Sequence, residues 1–273
     1  MNDAWDADFL ERSPVFAPLR FHARTVRAAR WPSLDDLQRL LGTREPPITT
    51  CSGARLSFVP QGRKTSAFEE QYESRTYLKG EVQVRRDNWH DLLNALVWLT
   101  FPRSKAALNG RHYDALLDQK AAGIQNRGPV RDAMTLFDEG GVIVAARDPA
   151  LLRLIESFAW KDLFWHNRAR IMTDMCFCLF GHALYEKALR PFMGITGRGI
   201  LFEVDSGFFA GPLSVQVERL DVMLAVRLND TSRLNSTGEL APVPILGVPG
   251  WCADNARESY YDNPDYFRCG RRR

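Results

Sequence analysis

No apolar run in the 273 residues approaches the roughly 20 needed to cross a bilayer. The longest, LLNALVWLTF, is broken by Asn94. The opening MNDAWDADFLERSP is acidic and lacks the basic-then-apolar pattern of a secretory leader. From these absences we expect a soluble, cytoplasmic protein. Neither sign of charge dominates. Lys and Arg number 36 against 33 Asp and Glu, but without the four arginines of the tail RCGRRR, 32 basic residues face 33 acidic ones. A body so balanced, with no basic stripe interleaved with aromatics, argues against nucleic acid as the main ligand. Cysteines are few, odd in number and scattered. Cys176, Cys178, Cys252 and Cys269 would make a four-thiolate zinc set, but zinc motifs favour CxxC-type spacing and free cysteines favour cores. We expect reduced thiols. GxSxG, HExxH, the P-loop and GxGxxG are all missing, so the usual marks of serine hydrolases, zincins, NTPases and dinucleotide enzymes are too. The cofactor is therefore unknown; a divalent metal stays open without being indicated.

What is present suits one globular domain: 45% hydrophobic and 25% charged residues, over a length ample for a sizeable core. The first fifty residues read as helical and Pro-punctuated, with SLDDLQRLLG a helix capped by Ser33 and ended by Gly42. RLSFVP and SRTYLKGEVQVR look extended. Asn88 or Asp87 caps a helix to Phe101, and Pro102 starts or kinks the next, to about Lys120. Pro129 opens a short helix to Phe137, EGG turns into the strand VIVAA, and DPALLRLIESF is a capped helix. RIMTDMCFCLF reads as a buried strand running into the helix HALYEKALR. GILFEV is a strand, SVQVERLDVMLAVRL a helix with Leu220, Leu224 and Leu228 on one face, and PVPILGVPGW an ordered, Pro-stiffened loop. The expected architecture is α/β or α+β, one mixed sheet packed by helices. Residues 1–50 form a helical segment on the core, and residues 51–273 form the core domain with an extended Pro/Gly-rich C-terminal segment. The Asn88–Phe101 helix, apolar nearly all round, is expected to pack centrally against the sheet.

Three segments carry candidate chemistry. On the first helix His90 and Asn94 share a face beside Asp91, and on the next Lys105, Asn109 and His112 share another. Burying such groups unpaired costs about 1–3 kcal/mol, so they need each other, water or a ligand. Alternatively Asp91 caps its helix and the second stripe faces solvent. In RDAMTLFDEGG, Arg131, Thr135 and either Asp138 or Glu139 fall on one side of a short helix. The adjacent carboxylates suit acid–base work or a divalent cation, or Arg131 simply pairs Asp138. In FGHALYEKAL, His182 at a helix start, with Glu186 one turn on and Lys187 beside it, suggests a base, its orienting carboxylate and an anion contact. A lone His–Glu pair is also commonly structural.

These segments together bring a resemblance. NWHDLLNALVWLTFPRSKAALN, RDAMTLFDEGG, FGHALYEKAL and ILGVPGW resemble the successive motifs of a bacterial family known only as a domain of unknown function, in order from about residue 75 to residue 267. The resemblance implies a cytoplasmic, single-domain bacterial protein and carries no activity, cofactor or catalytic residue.

Two functions follow as expectations. The first is a hydrolase or transferase whose polar cleft takes a small anionic substrate, with a histidine as general base and Lys105 as anion clamp. In that cleft at least two of His90, His112 and His182 approach within about 10 Å, and Asp138 or Glu139 is the nearest carboxylate. The second is a non-catalytic binding or scaffold protein whose basic tail docks an acidic protein partner.

Overall fold

The computed structural model describes residues 4–23, 29–62, 67–124 and 126–270. Two sheets organise the chain. Strands β1 (Ser57–Pro60) and β2 (Glu81–Val84) pair in parallel, with Ser57 opposite Glu81. The larger sheet runs in the order β4-β3-β5-β6, from β3 (Gly141–Ala146), β4 (Met175–Leu179), β5 (Thr196–Glu203) and β6 (Ala241–Pro244). β3 and β5 are parallel, while β4 and β6 add antiparallel to their outer sides. Every residue of β3 and β4 is buried, as expected for unbroken apolar runs packed on both faces. This is the mixed sheet anticipated from VIVAA, RIMTDMCFCLF and GILFEV.

Among the described residues ten α-helices surround the sheets: α1 (Arg20–Ala23), α2 (Leu34–Gly42), α3 (Tyr72–Lys79), α4 (Trp89–Thr100), α5 (Pro102–Ala121), α6 (Pro129–Gly140), α7 (Pro149–Glu156), α8 (Arg168–Asp174), α9 (His182–Ala188) and α10 (Leu213–Asn229). Their starts are written locally. Ser33 and Asp36 form a reciprocal capping box on α2, Asn88 accepts the Asp91 amide at the head of α4, and Asp148 accepts the Ala150 amide at the head of α7. Pro102 starts α5. Asp221 of α10 accepts the amides of Arg103 and Ser104 at 3.1 and 2.8 Å, capping α5 from a distant part of the chain. A single apolar core runs through these layers, and it includes Phe9, Leu10, Val15, Phe16 and Leu19 of the N-terminal stretch. Among the described residues no helix is long and apolar enough to cross a membrane.

Three expectations are corrected. SRTYLKG is the helix α3, not a strand. Thr76 is buried and bonds the Glu81 carbonyl, and Gly80 ends the helix at φ 70°, where a side chain is strained. In RIMTDMCFCLF the strand begins only at Met175. Residues 168–174 are helical, and Ile171 is the one of them that is buried, so the charged half follows the surface and the apolar half the sheet. PVPILGVPGW is not wholly loop, because its proline-rich start is edge strand β6, where missing amides are tolerated. Helix α4 is buried, but its chief neighbours are α9, α5, α1 and β2, while α6 and α7 cover the larger sheet.

Candidate functional site

Five helices, α3, α4, α5, α6 and α9, converge on one polar cavity of about 350 Å³. The head of α4 supplies His90, Asp91 and Asn94, α5 supplies His112, the end of α6 supplies Thr135, Asp138 and Glu139, and the start of α9 supplies His182. Gln61, Tyr72, Glu73, Gln83, Arg85 and Arg127 complete a lining in which every residue is polar or charged. The convergence depends on a close backbone approach. Gly181, just before α9, donates its amide to the Gly141 carbonyl at 2.9 Å, and a Cβ there would lie 2.5 Å from the Glu139 carbonyl oxygen. Glycine therefore lets the ends of α6 and α9 meet.

At the meeting point the Nε2 atoms of His90 and His182 lie 3.0 Å apart, and Glu139 Oε2 is 3.7 Å from His182 Nε2. One donor atom from each of these three residues fits within 4.8 Å of the others. The far sides of both rings face carboxylates. His90 Nδ1 is 2.9 Å from Glu186 Oε2, and His182 Nδ1 is 3.8 Å from Asp138 Oδ2. A carboxylate only accepts, so the His90 proton belongs on Nδ1 and its Nε2 is left as an acceptor, which takes a hydrogen bond from His182 Nε2–H or, with the His182 proton on Nδ1, shares a cation with that nitrogen. Burial holds His182 down to about 4 against the pull of Asp138, keeping the ring neutral.

Behind this cluster runs a buried polar chain. Lys105, 3% exposed, donates to Asp138 Oδ1 and to Asn94 Oδ1, and Asn94 Nδ2 donates to the Tyr72 hydroxyl at 2.8 Å. Burial pushes the Asp138 carboxyl up, but Lys105 and then His182 outweigh it and hold it below its ordinary value. Glu139 moves the other way, raised by burial and by Asp138 although His90 opposes. The lining carries four carboxylates against two guanidinium groups, a net negative wall suited to a cation.

The profile of the DUF3025 family, described as a protein of unknown function, matches residues 56–271. The chain belongs to the DUF3025 family. Every residue lining the cavity lies inside the matched stretch. No curated protein and no solved structure matches the chain.

Of the residues singled out in this DUF3025 sequence, His90, Asp91, Asn94, His112, Thr135, Asp138, Glu139 and His182 line the cavity, and Lys105 and Glu186 bond residues that do. Glu186 orients His90 rather than His182, because helix α9 turns it toward α4. Asp91 does not cap its helix; Asn88 does, and Asp91 takes both Nε and Nη2 of Arg85 at 2.8 Å. Asn109 is buried, its Nδ2 donates to the carbonyl and carboxylate of Glu73, and its Oδ1 has no partner among the described residues. Arg131 bonds Gln119, not Asp138, and Lys187 is exposed away from the cavity. Lys105 is already neutralised by Asp138, which removes it as a free anion clamp. Tyr72, Glu73, Arg85, Arg127, Gln61 and Gln83 were not anticipated. Tyr72 and Glu73 open helix α3, whose segment reads as extended in sequence, Gln83 lies on β2, and Gln61, Arg85 and Arg127 lie in loops, so only the tertiary fold brings them to the cavity.

Proposed function

We propose that the cavity binds one divalent transition metal through His90 Nε2, His182 Nε2 and Glu139, and that the protein is a metal-dependent hydrolase of a small polar substrate. The observation that carries this is the pair of imidazole Nε2 atoms 3.0 Å apart beside a carboxylate. Without a metal the two rings share a hydrogen bond, and a metal between them would replace that proton. Nitrogens each about 2.1 Å from a metal sit roughly 3.0–3.4 Å apart at ordinary ligand angles, so the rings need little movement. Two imidazoles and one carboxylate suit zinc, iron, cobalt or manganese better than calcium or magnesium, and Glu186 bonds His90 as outer carboxylates do when they orient a ligating histidine. Three protein ligands leave a position open to the cavity for water, whose pKa a bound metal lowers to about 7. In the reaction the water oxygen bonds to the substrate's acyl or phosphoryl centre, the bond to the leaving group breaks, and the water proton ends on the leaving group. The wholly polar lining favours this over chemistry that needs an apolar, water-free pocket.

The scaffold reading has less support, since the tail is not a free appendage as far as Gly270. The Arg268 carbonyl accepts Trp160 Nε1 at 2.9 Å, and Gly270 packs against the Phe158 ring; residues 271–273 lie outside the described residues. We place the protein in the cytoplasm, a reading supported by five free thiols, two of them 3.5 Å apart and unbonded.

The test is metal analysis of the purified full chain, zinc, manganese and cobalt titrations, and a screen of p-nitrophenyl acetate and p-nitrophenyl phosphate. We expect one metal per chain, weakened at least tenfold by His182→Ala or His90→Ala, and hydrolysis abolished by a chelator. Equal metal uptake by wild type and both variants, or none by any, overturns the reading.

A further inference from the structure

The polar chain behind the metal cluster determines what one wall offers a ligand. Lys105 Nζ has only protons to give, so the Asn94 atom it meets at 2.9 Å is the carbonyl oxygen. That assignment turns the Asn94 NH₂ toward Tyr72, whose hydroxyl oxygen must accept it at 2.8 Å. The Tyr72 proton is therefore not used in that bond. Tyr72 lines the cavity. Tyr72 is 37% exposed as a residue; desolvation of its hydroxyl, then the carboxylates of Glu73 and Asp138, push the phenol up from an already high ordinary value, so the proton stays on oxygen.

A second observation points to a ligand in the same space. His112 lines the cavity while only 3% exposed, and its Nδ1 has no hydrogen-bond partner among the described residues. Arg127 also lines the cavity and pairs with no carboxylate among the described residues. An unpartnered ring nitrogen and a guanidinium without a carboxylate partner among the described residues thus border a lining in which carboxylates outnumber guanidinium groups.

We propose that Tyr72 is the hydrogen-bond donor to a metal-bound oxyanion, assisted by His112 and Arg127, and that the substrate is a small molecule presenting a phosphate or carboxylate oxygen to the metal. This rests on the metal reading above. The arrangement has the logic of an oxyanion hole: a donor held in place before the charge arrives, so that nothing has to reorganise when it does. Lys105 and Asn94 hold the phenol, and they do so only because Asp138 holds Lys105.

The test uses the full chain loaded with cobalt(II), whose visible spectrum reports ligands entering the metal shell, titrated separately with inorganic phosphate and with acetate. We expect one of the two anions to perturb the spectrum saturably, its identity separating a phosphate from a carboxylate substrate. Tyr72→Phe should weaken that anion about tenfold, or about 1.4 kcal/mol, with cobalt affinity and circular dichroism unchanged. Asn94→Ala, which lets the phenol turn, should weaken it less. If Tyr72→Phe binds both anions as wild type does, or cobalt-loaded wild type binds neither, the Tyr72 proposal is overturned and the metal reading stands. If wild type takes up no cobalt, both fall together.

Discussion

Lys105 illustrates how neighbours decide the use of a charged residue. At 3% exposure it has water neither to solvate its charge nor to share it, and Asp138 and Asn94 take that place. Breaking such a buried pair from one side costs about 3–5 kcal/mol. Lys105→Met should therefore lose about that much in urea unfolding, and the Asp138 carboxyl should titrate higher, since its main stabilising charge is gone. Helix spacing made Lys105 visible as part of a polar stripe with Asn109 and His112, but spacing says nothing about which partner lies opposite. His22 carries a second residue-scale prediction. Burial, then Arg44 at 3.3 Å, depress its pKa to about 4 from the ordinary 6.5. The unfolded chain then takes up this proton near 6.5 and the folded chain only near 4, so the unfolded state binds more protons across that window. Stability should fall as pH drops from about 6.5 to about 4, and be unaffected by this group above it. Urea midpoints at pH 7 and pH 5 should differ less in His22→Gln than in wild type.

Element ends, rather than element middles, build the cavity. Helix α6 finishes on Asp138, Glu139 and Gly140, α9 begins on His182, and Gly181 is the point of contact. An added methyl at Gly181 would sit 2.4 Å from the Gly141 amide nitrogen and 2.5 Å from the Glu139 carbonyl oxygen, both backbone atoms and neither the end of a flexible side chain. Overpacking of this kind costs about 1–3 kcal/mol. Gly181→Ala should lower the urea midpoint accordingly and, by prising Glu139 from His182, weaken zinc binding by about tenfold, the low end for disturbed support of a metal ligand. Asp221 does similar work at the head of α5. It is 1% exposed, and truncation strands the amides of Arg103 and Ser104, so Asp221→Ala should cost about 2–3 kcal/mol in the same assay. Caps such as Ser33, Asn88 and Asp148 were legible because they act within one turn of their own helix. Asp221 was not, because it acts across more than a hundred residues of chain.

The whole molecule ties its N-terminus to the cavity. Trp5 and Phe9 pack their rings on Trp89, next to His90, and Phe16 packs on Tyr185, one turn after His182. The family match begins only at residue 56, yet Phe9, Leu10, Val15, Phe16 and Leu19 are all buried in the common core. At about 1.5–3 kcal/mol for each buried side chain, these five contribute roughly 10 kcal/mol, as much as the net stability of an ordinary domain. A chain beginning at residue 56 should therefore fail to unfold cooperatively in urea and should bind a hydrophobic dye. Cooperative unfolding with unchanged zinc affinity would show the N-terminal stretch to be dispensable.

Periodicity and local capping determined most helices and the buried strands of this chain, because both depend on residues a few positions apart. The same rules placed His90 with Asn94, and Lys105 with Asn109 and His112, on their respective helix faces. Only the tertiary structure decided that His90 meets His182 across 92 positions of sequence, that Glu186 serves the first and not the second, and that Tyr72 receives its bond from Asn94. Those outcomes depend on how α4, α6 and α9 cross, and crossing is decided by the packing of whole apolar faces and by a glycine small enough to let two backbones touch.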